Sequence, residues 1–398
     1  MISKNMNSKV LLTDISKFSL ICSFLFIFFT VFARFILPFG DEPDFDFRLY
    51  DLLDTDHSAF SPYFYVKDFL STFSGMRLCP IHSTATSLWA HIDFTDCRES
   101  IMQIIGRIFL TILIFSPVLF VICFRGFSYS ILNVFCKNKI SEIVFNKKLD
   151  AVSIALIFPS FIYLSGVLAQ EQLLLSLAIL MIIFIENWLI VVFLLGIMAG
   201  IDIGNTAVYL TFILFYYFLK NIDENYGRKC TLIFSFSIVT FAFIVGSLIL
   251  NYVSGFSVLA DKAIAMQYKI ENDFVDKYPK FIRPFITFAS AVFMSSESIK
   301  VILLYIILLP SLFLGYFKLS KVRNNQYARF FKLQVVISIT TILFFVFLFP
   351  DYSYVKYYIF LLPLFISVFL VVYSKFKVII FVSLITVIWL VNILAYML

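Results

Sequence analysis

Apolar runs long enough to cross a bilayer recur along this chain almost from end to end, and they constrain the fold more than any other feature. A hydrocarbon core of about 30 Å takes about 20 apolar residues in a helix. Inside lipid every backbone polar group must bond within the chain, and a continuous apolar run does so as a helix. Runs of this kind place spans near 18–38, 103–124, 151–169, 173–186, 187–200, 205–219, 231–255, 301–317, 333–349, 357–374 and 378–396. The three from 173 to 219 are short, which suits tilted, partly re-entrant or cavity-lining helices. Of the 398 residues 61% are hydrophobic and 14% charged, against roughly 25% charged in soluble domains. The expected fold is therefore an all-α polytopic membrane protein of about 11 transmembrane helices. A single integral membrane domain covers 1–398, because no linker or fixed-period repeat divides it. The first run lacks a small-residue cleavage site and reads as a retained helix.

Lysine and arginine set the expected orientation. The net charge of +6 is scattered over short loops, which excludes a nucleic-acid patch and fits a topology rule. Segments 1–17, 125–150, 187, 220–230, 318–332 and 375–377, expected in the cytoplasm, carry 3, 5, 0, 3, 5 and 2 basic residues. The short segments 170–172 and 201–204 carry none. The N-terminus is thus expected in the cytoplasm. Two larger loops, 39–102 and 256–300, fall outside, and an odd span count puts the C-terminus outside too.

The outer loop 39–102 holds eleven acidic residues against four basic ones. Asp41, Glu42, Asp44 and Asp46 crowd its start, directly after the first span. Carboxylates at a membrane surface must be hydrated, paired or bound to a cation. Alternate carboxylates such as Asp41 and Asp44 can converge on one Mg²⁺, Mn²⁺ or Ca²⁺, hard ions that prefer oxygen ligands. One carboxylate can instead act as a general base toward a hydroxyl. The plain alternative is a solvated acidic loop. Segments 60–73 and 85–92 alternate aromatic and polar residues, as helices lying on the interface do.

Glu171 lies in the tight outer turn expected at 170–172, between two apolar segments, where it can face the acidic cluster or simply mark the turn. Asp202 stands between Gly200 and Gly204, in a polar cavity or an exposed turn. Arg34 and Arg107 fall near the outer ends of the first two spans, where arginine binds lipid phosphate, snorkels or pairs with a carboxylate. Lys262, Lys269, Lys280, Arg283 and Lys356 are further outer cations able to hold a pyrophosphate. Cys79 and Cys97 share the acidic loop and form either a disulfide or two thiols. His57, His82 and His91 match no zinc spacing.

The order of these features resembles the GT-C superfamily of polytopic glycosyltransferases, which use polyprenyl-phosphate or polyprenyl-pyrophosphate sugars. In that family an acidic motif opens the first outer loop, where this chain has Gly40-Asp41-Glu42-Pro43-Asp44. A later acidic residue follows a hydroxyl-containing stretch, as Glu171 follows Tyr163-Leu164-Ser165-Gly166. The turn from Asp351 to Tyr358 looks like the family's basic-Tyr turn into a late span, with Lys356 where arginine is commoner. In size and phenylalanine content the chain is also similar to the polymerases and transferases encoded with bacterial O-antigens and capsules.

The resemblance implies a GT-C-like enzyme of the bacterial inner membrane, active at the outer, periplasmic face. An undecaprenyl-linked sugar or oligosaccharide would be the donor and a glycan the acceptor, with a chain-length regulator as a further partner. Asp41 or Glu42 would take the proton of the acceptor hydroxyl. Asp44 or Glu171 would assist, and Asp41 with Asp44 would be the ligands of any Mg²⁺ or Mn²⁺. Arg34, Arg107, Lys262, Arg283 and Lys356 would stabilise the leaving phosphate. A single attack inverts the sugar carbon. The expected reaction joins lipid-linked repeat units of O-antigen or capsule. Transfer of one sugar to a surface glycan, or flipping of a lipid-linked oligosaccharide, are the alternatives. A transporter would place its charges near the midplane and repeat its halves, whereas here the carboxylates gather at one face.

Overall fold

In a computed structural model, the structure describes residues 14–36, 139–166, 170–201, 203–253, 314, 318, 326–348 and 357–397. These residues are helical, with no strand among them. The helices are α1 (Asp14–Ile36), α2 (Lys139–Ala155), α3 (Pro159–Gly166), α4 (Gln170–Ile183), α5 (Trp188–Ile201), α6 (Ile203–Asn225), α7 (Arg228–Val253), α8 (Gln326–Leu348), α9 (Leu362–Val372) and α10 (Lys375–Met397). A 3₁₀ turn, Ile359–Leu361, leads into α9. Nine of the expected spans therefore coincide with helices; those at 103–124 and 301–317 lie outside the described residues, apart from isolated helical positions. By length and apolarity α7 and α8 are able to cross a membrane.

Several boundaries differ from expectation, two of them with a bearing on the site. Residues 139–150, expected in a loop, open α2. Val144, Phe145, Lys148, Leu149 and Asp150 are buried, so tertiary packing holds a helix that the charges at 147, 148 and 150 hid from a hydropathy reading. α2 then breaks at 156–158, because the residue before a proline avoids helical geometry, and Pro159 opens α3 where its missing N–H costs nothing. Residues 170–172, expected as a turn, form the first turn of α4. An acidic residue there is favoured by the helix dipole.

The buried core joins α1 to α6 and α8 to α10. α6 shows why. Tyr209, Phe212, Tyr216 and Leu219 recur at three- and four-residue spacing and are buried. Leu210, Leu214 and Phe218 repeat on the opposite side and are exposed. Both faces are apolar, and the two differ in size and aromatic content rather than polarity. Phe360 of the 3₁₀ turn meets Tyr209 and Phe212 edge-on, at centroid distances of 4.7 and 5.5 Å, a geometry that aromatic quadrupoles favour.

α7 and α8 form the most extensive helix pair among the described residues. α7 offers Thr231, Ser235 and Ala242 along one seam, and small residues let two backbones approach closely. The Ser235 and Thr340 hydroxyls bond across it. Deeper in α8, Ser338 and Thr341 are fully buried and donate to the carbonyls of Gln334 and Ile337, at 2.8 and 2.9 Å. Bonding back by one turn satisfies a hydroxyl without a partner helix.

Candidate functional site

Of the expected site residues, Asp41, Glu42, Asp44, Arg107, Lys262, Arg283 and Lys356 lie outside the described residues, as do Asp202 and both outer loops. Arg34 falls in the last turn of α1 and Glu171 in the first turn of α4. Whether those two helix ends share a face is decided by the direction of the helices that carry them.

Ser19 near the start of α1 donates to the buried Asp150 of α2 at 2.8 Å. α1 also packs along α3, which begins nine residues after Asp150. With α3 continuing the line of α2 across the break at 156–158, at 1.5 Å per residue it sits about 14–24 Å beyond the Ser19–Asp150 bond, while only about 8 Å of α1 precedes Ser19. Antiparallel helices would leave α3 beyond the end of α1. The two therefore run in the same direction. From Ser19 to Ile36 and from Asp150 to Gly166 the lengths are nearly equal, about 24–26 Å. The end of α1, from which the chain enters the 40–46 acidic stretch, thus lies level with the end of α3. α4 starts four residues beyond Gly166. Arg34 and Glu171 occupy backbone positions at this end.

The opposite end is a layer of charges. In the turn between α4 and α5, Glu186 accepts from Lys220 at 2.6 Å and from the Tyr216 hydroxyl. The Tyr217 hydroxyl donates to the Ile185 carbonyl at 2.9 Å. Partial burial pushes the Glu186 carboxyl up, but the charge of Lys148 and the bonds from Lys220 and Tyr216 outweigh it and leave it below the usual carboxylate range. Lys148 is itself buried, with its ammonium 4.9 Å from the Phe330 ring centre.

One helix away, Asp223 is 3% exposed and doubly used. Its Oδ2 accepts from Arg329 Nε at 2.7 Å. Its Oδ1 accepts from Thr231 at 3.3 Å and lies 3.6 Å from Arg228 Nη1. Arg329 also donates to the Asp223 carbonyl. Lys318 stands over the Tyr373 ring at 5.1 Å. Apart from the Lys318–Tyr373 pair, these contacts join the start of α1, α2, the 184–187 turn, the α6–α7 turn and the start of α8. Except for the 184–187 turn, which carries no lysine or arginine, they adjoin segments that the lysine and arginine distribution assigns to one side.

These side chains interlock helices. No group of three or more metal-binding side chains occurs among the described residues. Comparison with protein-family models, with curated proteins and with solved structures finds no match to this chain.

Proposed function

We propose that the chain is a bacterial inner-membrane glycosyltransferase of about eleven spans, GT-C-like, with its N-terminus in the cytoplasm. It uses a polyprenyl-(pyro)phosphate-linked donor at the outer face, inverts the sugar carbon, and joins O-antigen or capsule repeat units. Membrane embedding is supported by the apolar residues that the helices leave exposed. Phe236, Ile233 and Ile244 of α7 are 72%, 64% and 64% exposed, on a helix that passes the length and apolarity test for a span. So much apolar surface on one helix is unfavourable in water and ordinary in lipid.

The transferase reading is supported by one observation: α1 packs along both α2 and α3 and bonds Asp150 through Ser19, as a parallel run of α1 and α3 requires. That run brings the entrance to the Asp41–Asp46 stretch level with the segment leading to Glu171. Asp41 or Glu42 is the base for the acceptor hydroxyl, and Asp44 or Glu171 assists. Where a divalent ion is required, Asp41 and Asp44 are its oxygen ligands, and the ion would offset charge on the leaving phosphate. Arg34, Arg107, Lys262, Arg283 and Lys356 serve the same phosphate electrostatically.

The test is single replacement, Asp41→Asn, Glu42→Gln, Asp44→Asn and Glu171→Gln, in cells that make the polymer. Loss of a general base lowers the rate by about a hundredfold or more. At least one variant, at normal protein level, should then carry single repeat units in place of long chains on a gel. Long chains in all four would overturn the reading. Full-length polymer lacking one side sugar would replace polymerisation with single-sugar transfer, and lipid-linked units held on the cytoplasmic side would point to a flippase.

A further inference from the structure

The charged layer contains one corner where cations outnumber acids. Arg228 and Lys229 open α7, and Arg329 and Lys332 lie in the first two turns of α8. Asp223 and the exposed Glu224 are the acids adjoining them. Asp223 does not use up the donors. Its Oδ2 is taken by Arg329 Nε, and the 3.6 Å gap from Oδ1 to Arg228 Nη1 is too long for a hydrogen bond. Both Nη atoms of Arg228 are buried and lack an acceptor among the described residues. Arg228 and Lys332 are close enough for their positive charges to oppose each other. Arg329 is 56% exposed, so the corner opens outward.

Directly beyond these cations runs the exposed apolar face of α7: Leu232, Ile233, Phe236, Phe243 and Ile244. A cationic corner at the end of an apolar helix face matches one chemistry, a phosphate diester on two acyl chains. Guanidinium groups suit phosphate oxygens, the N-terminus of the 26-residue α7 adds its dipole, and the apolar face takes the chains. We propose that the Arg228–Lys229–Arg329–Lys332 corner binds the headgroup phosphate of an anionic phospholipid whose acyl chains lie along α7. The inference rests on the membrane reading and is independent of the glycosyltransferase chemistry.

The test uses the full-length protein in phosphatidylcholine nanodiscs with increasing phosphatidylglycerol, read by native mass spectrometry of retained lipid. Phosphatidylglycerol should be retained over phosphatidylcholine, and the preference should fall with salt. Each cation removed should weaken retention about fivefold. Lys229→Gln with Lys332→Gln leaves the Asp223 ion pairs in place, so it tests binding without disturbing the fold; Arg228→Lys tests the guanidinium separately. Lys375→Gln with Lys377→Gln removes the same charge from the start of α10 and should change nothing. Equal retention of the two lipids, an unaltered preference in the corner variants, or an equal loss in the α10 variant would each overturn the proposal. Stabilisation of the detergent-solubilised protein by millimolar inorganic phosphate, matching that by phosphatidylglycerol, would replace the lipid with a soluble anion. A chain that fails to enter nanodiscs would instead refute the membrane reading.

Discussion

Glu186 illustrates how a single residue sets a measurable property of the inner layer. Lys148 and the donors Lys220 and Tyr216 hold its carboxyl below the usual range against the upward push of burial. The unfolded chain therefore binds this proton more readily than the folded one. A group of that sign stabilises the fold at pH above its unfolded value, and the contribution is lost as pH falls through its folded value. The side chain is 48% exposed, so screening limits the pairing to under about 1 kcal/mol. Thermal unfolding in detergent should accordingly show a small loss of stability as pH is lowered from 7 through the acid range. Glu186→Gln should be less stable at pH 7 and lack that part of the acid slope. An identical slope in both proteins would remove Glu186 as its source. No local signal marks this residue in the sequence, since Tyr216 and Lys220 lie 30 and 34 positions away. Asp223 and Arg329, 106 positions apart, are equally illegible. Charges that pair across elements read as ordinary loop charges until the helices are packed.

At the scale of elements, the apolar runs made nearly every described helix legible, because hydrophobic length is a property of contiguous residues. What was hidden was where packing extended a helix past its apolar run. α2 begins in a stretch with Lys147, Lys148 and Asp150, and α6 continues through Lys220 to Asn225. In both, buried or paired charges keep the turn helical. The α6–α7 junction shows the local rule that does work. α6 ends with the Tyr226 N–H on the Ile222 carbonyl at 2.8 Å, and Gly227 follows at φ 83°. Glycine is the residue that adopts this left-handed geometry without strain, and α7 starts at the next position. A Cβ at 227 would meet nothing within 4 Å, so the whole cost of Gly227→Ala is backbone strain, about 1–2 kcal/mol. Thermal unfolding should show that loss with the ion pairs of Asp223 retained. An unchanged midpoint would mean that the junction is not held left-handed.

For the whole molecule, the charge bias and the packing converge independently. The bias counts lysines and arginines in loops and knows nothing of contacts. The contacts gather at one end the segments near 19, 148–150, 186, 220–229 and 329, and the parallel run of α1 and α3 sends Ile36 and Gly166 to the other. The acidic cluster was conspicuous in the sequence, but its partnership with Glu171 depends on that shared direction, which periodicity does not carry. The arrangement makes a prediction about sidedness. Single cysteines would be introduced at Asp46, Gln172, Asn225 and Lys229 in a background with the six native cysteines replaced. Intact spheroplasts would then be treated with a membrane-impermeant maleimide. Positions 46 and 172 should label from outside, and positions 225 and 229 only after lysis. Labelling of 46 without 172 would separate Glu171 from the acidic cluster and remove it from the site. Labelling of all four from outside would break the topology itself, and with it the assignment of the Arg228 corner to the cytoplasmic leaflet.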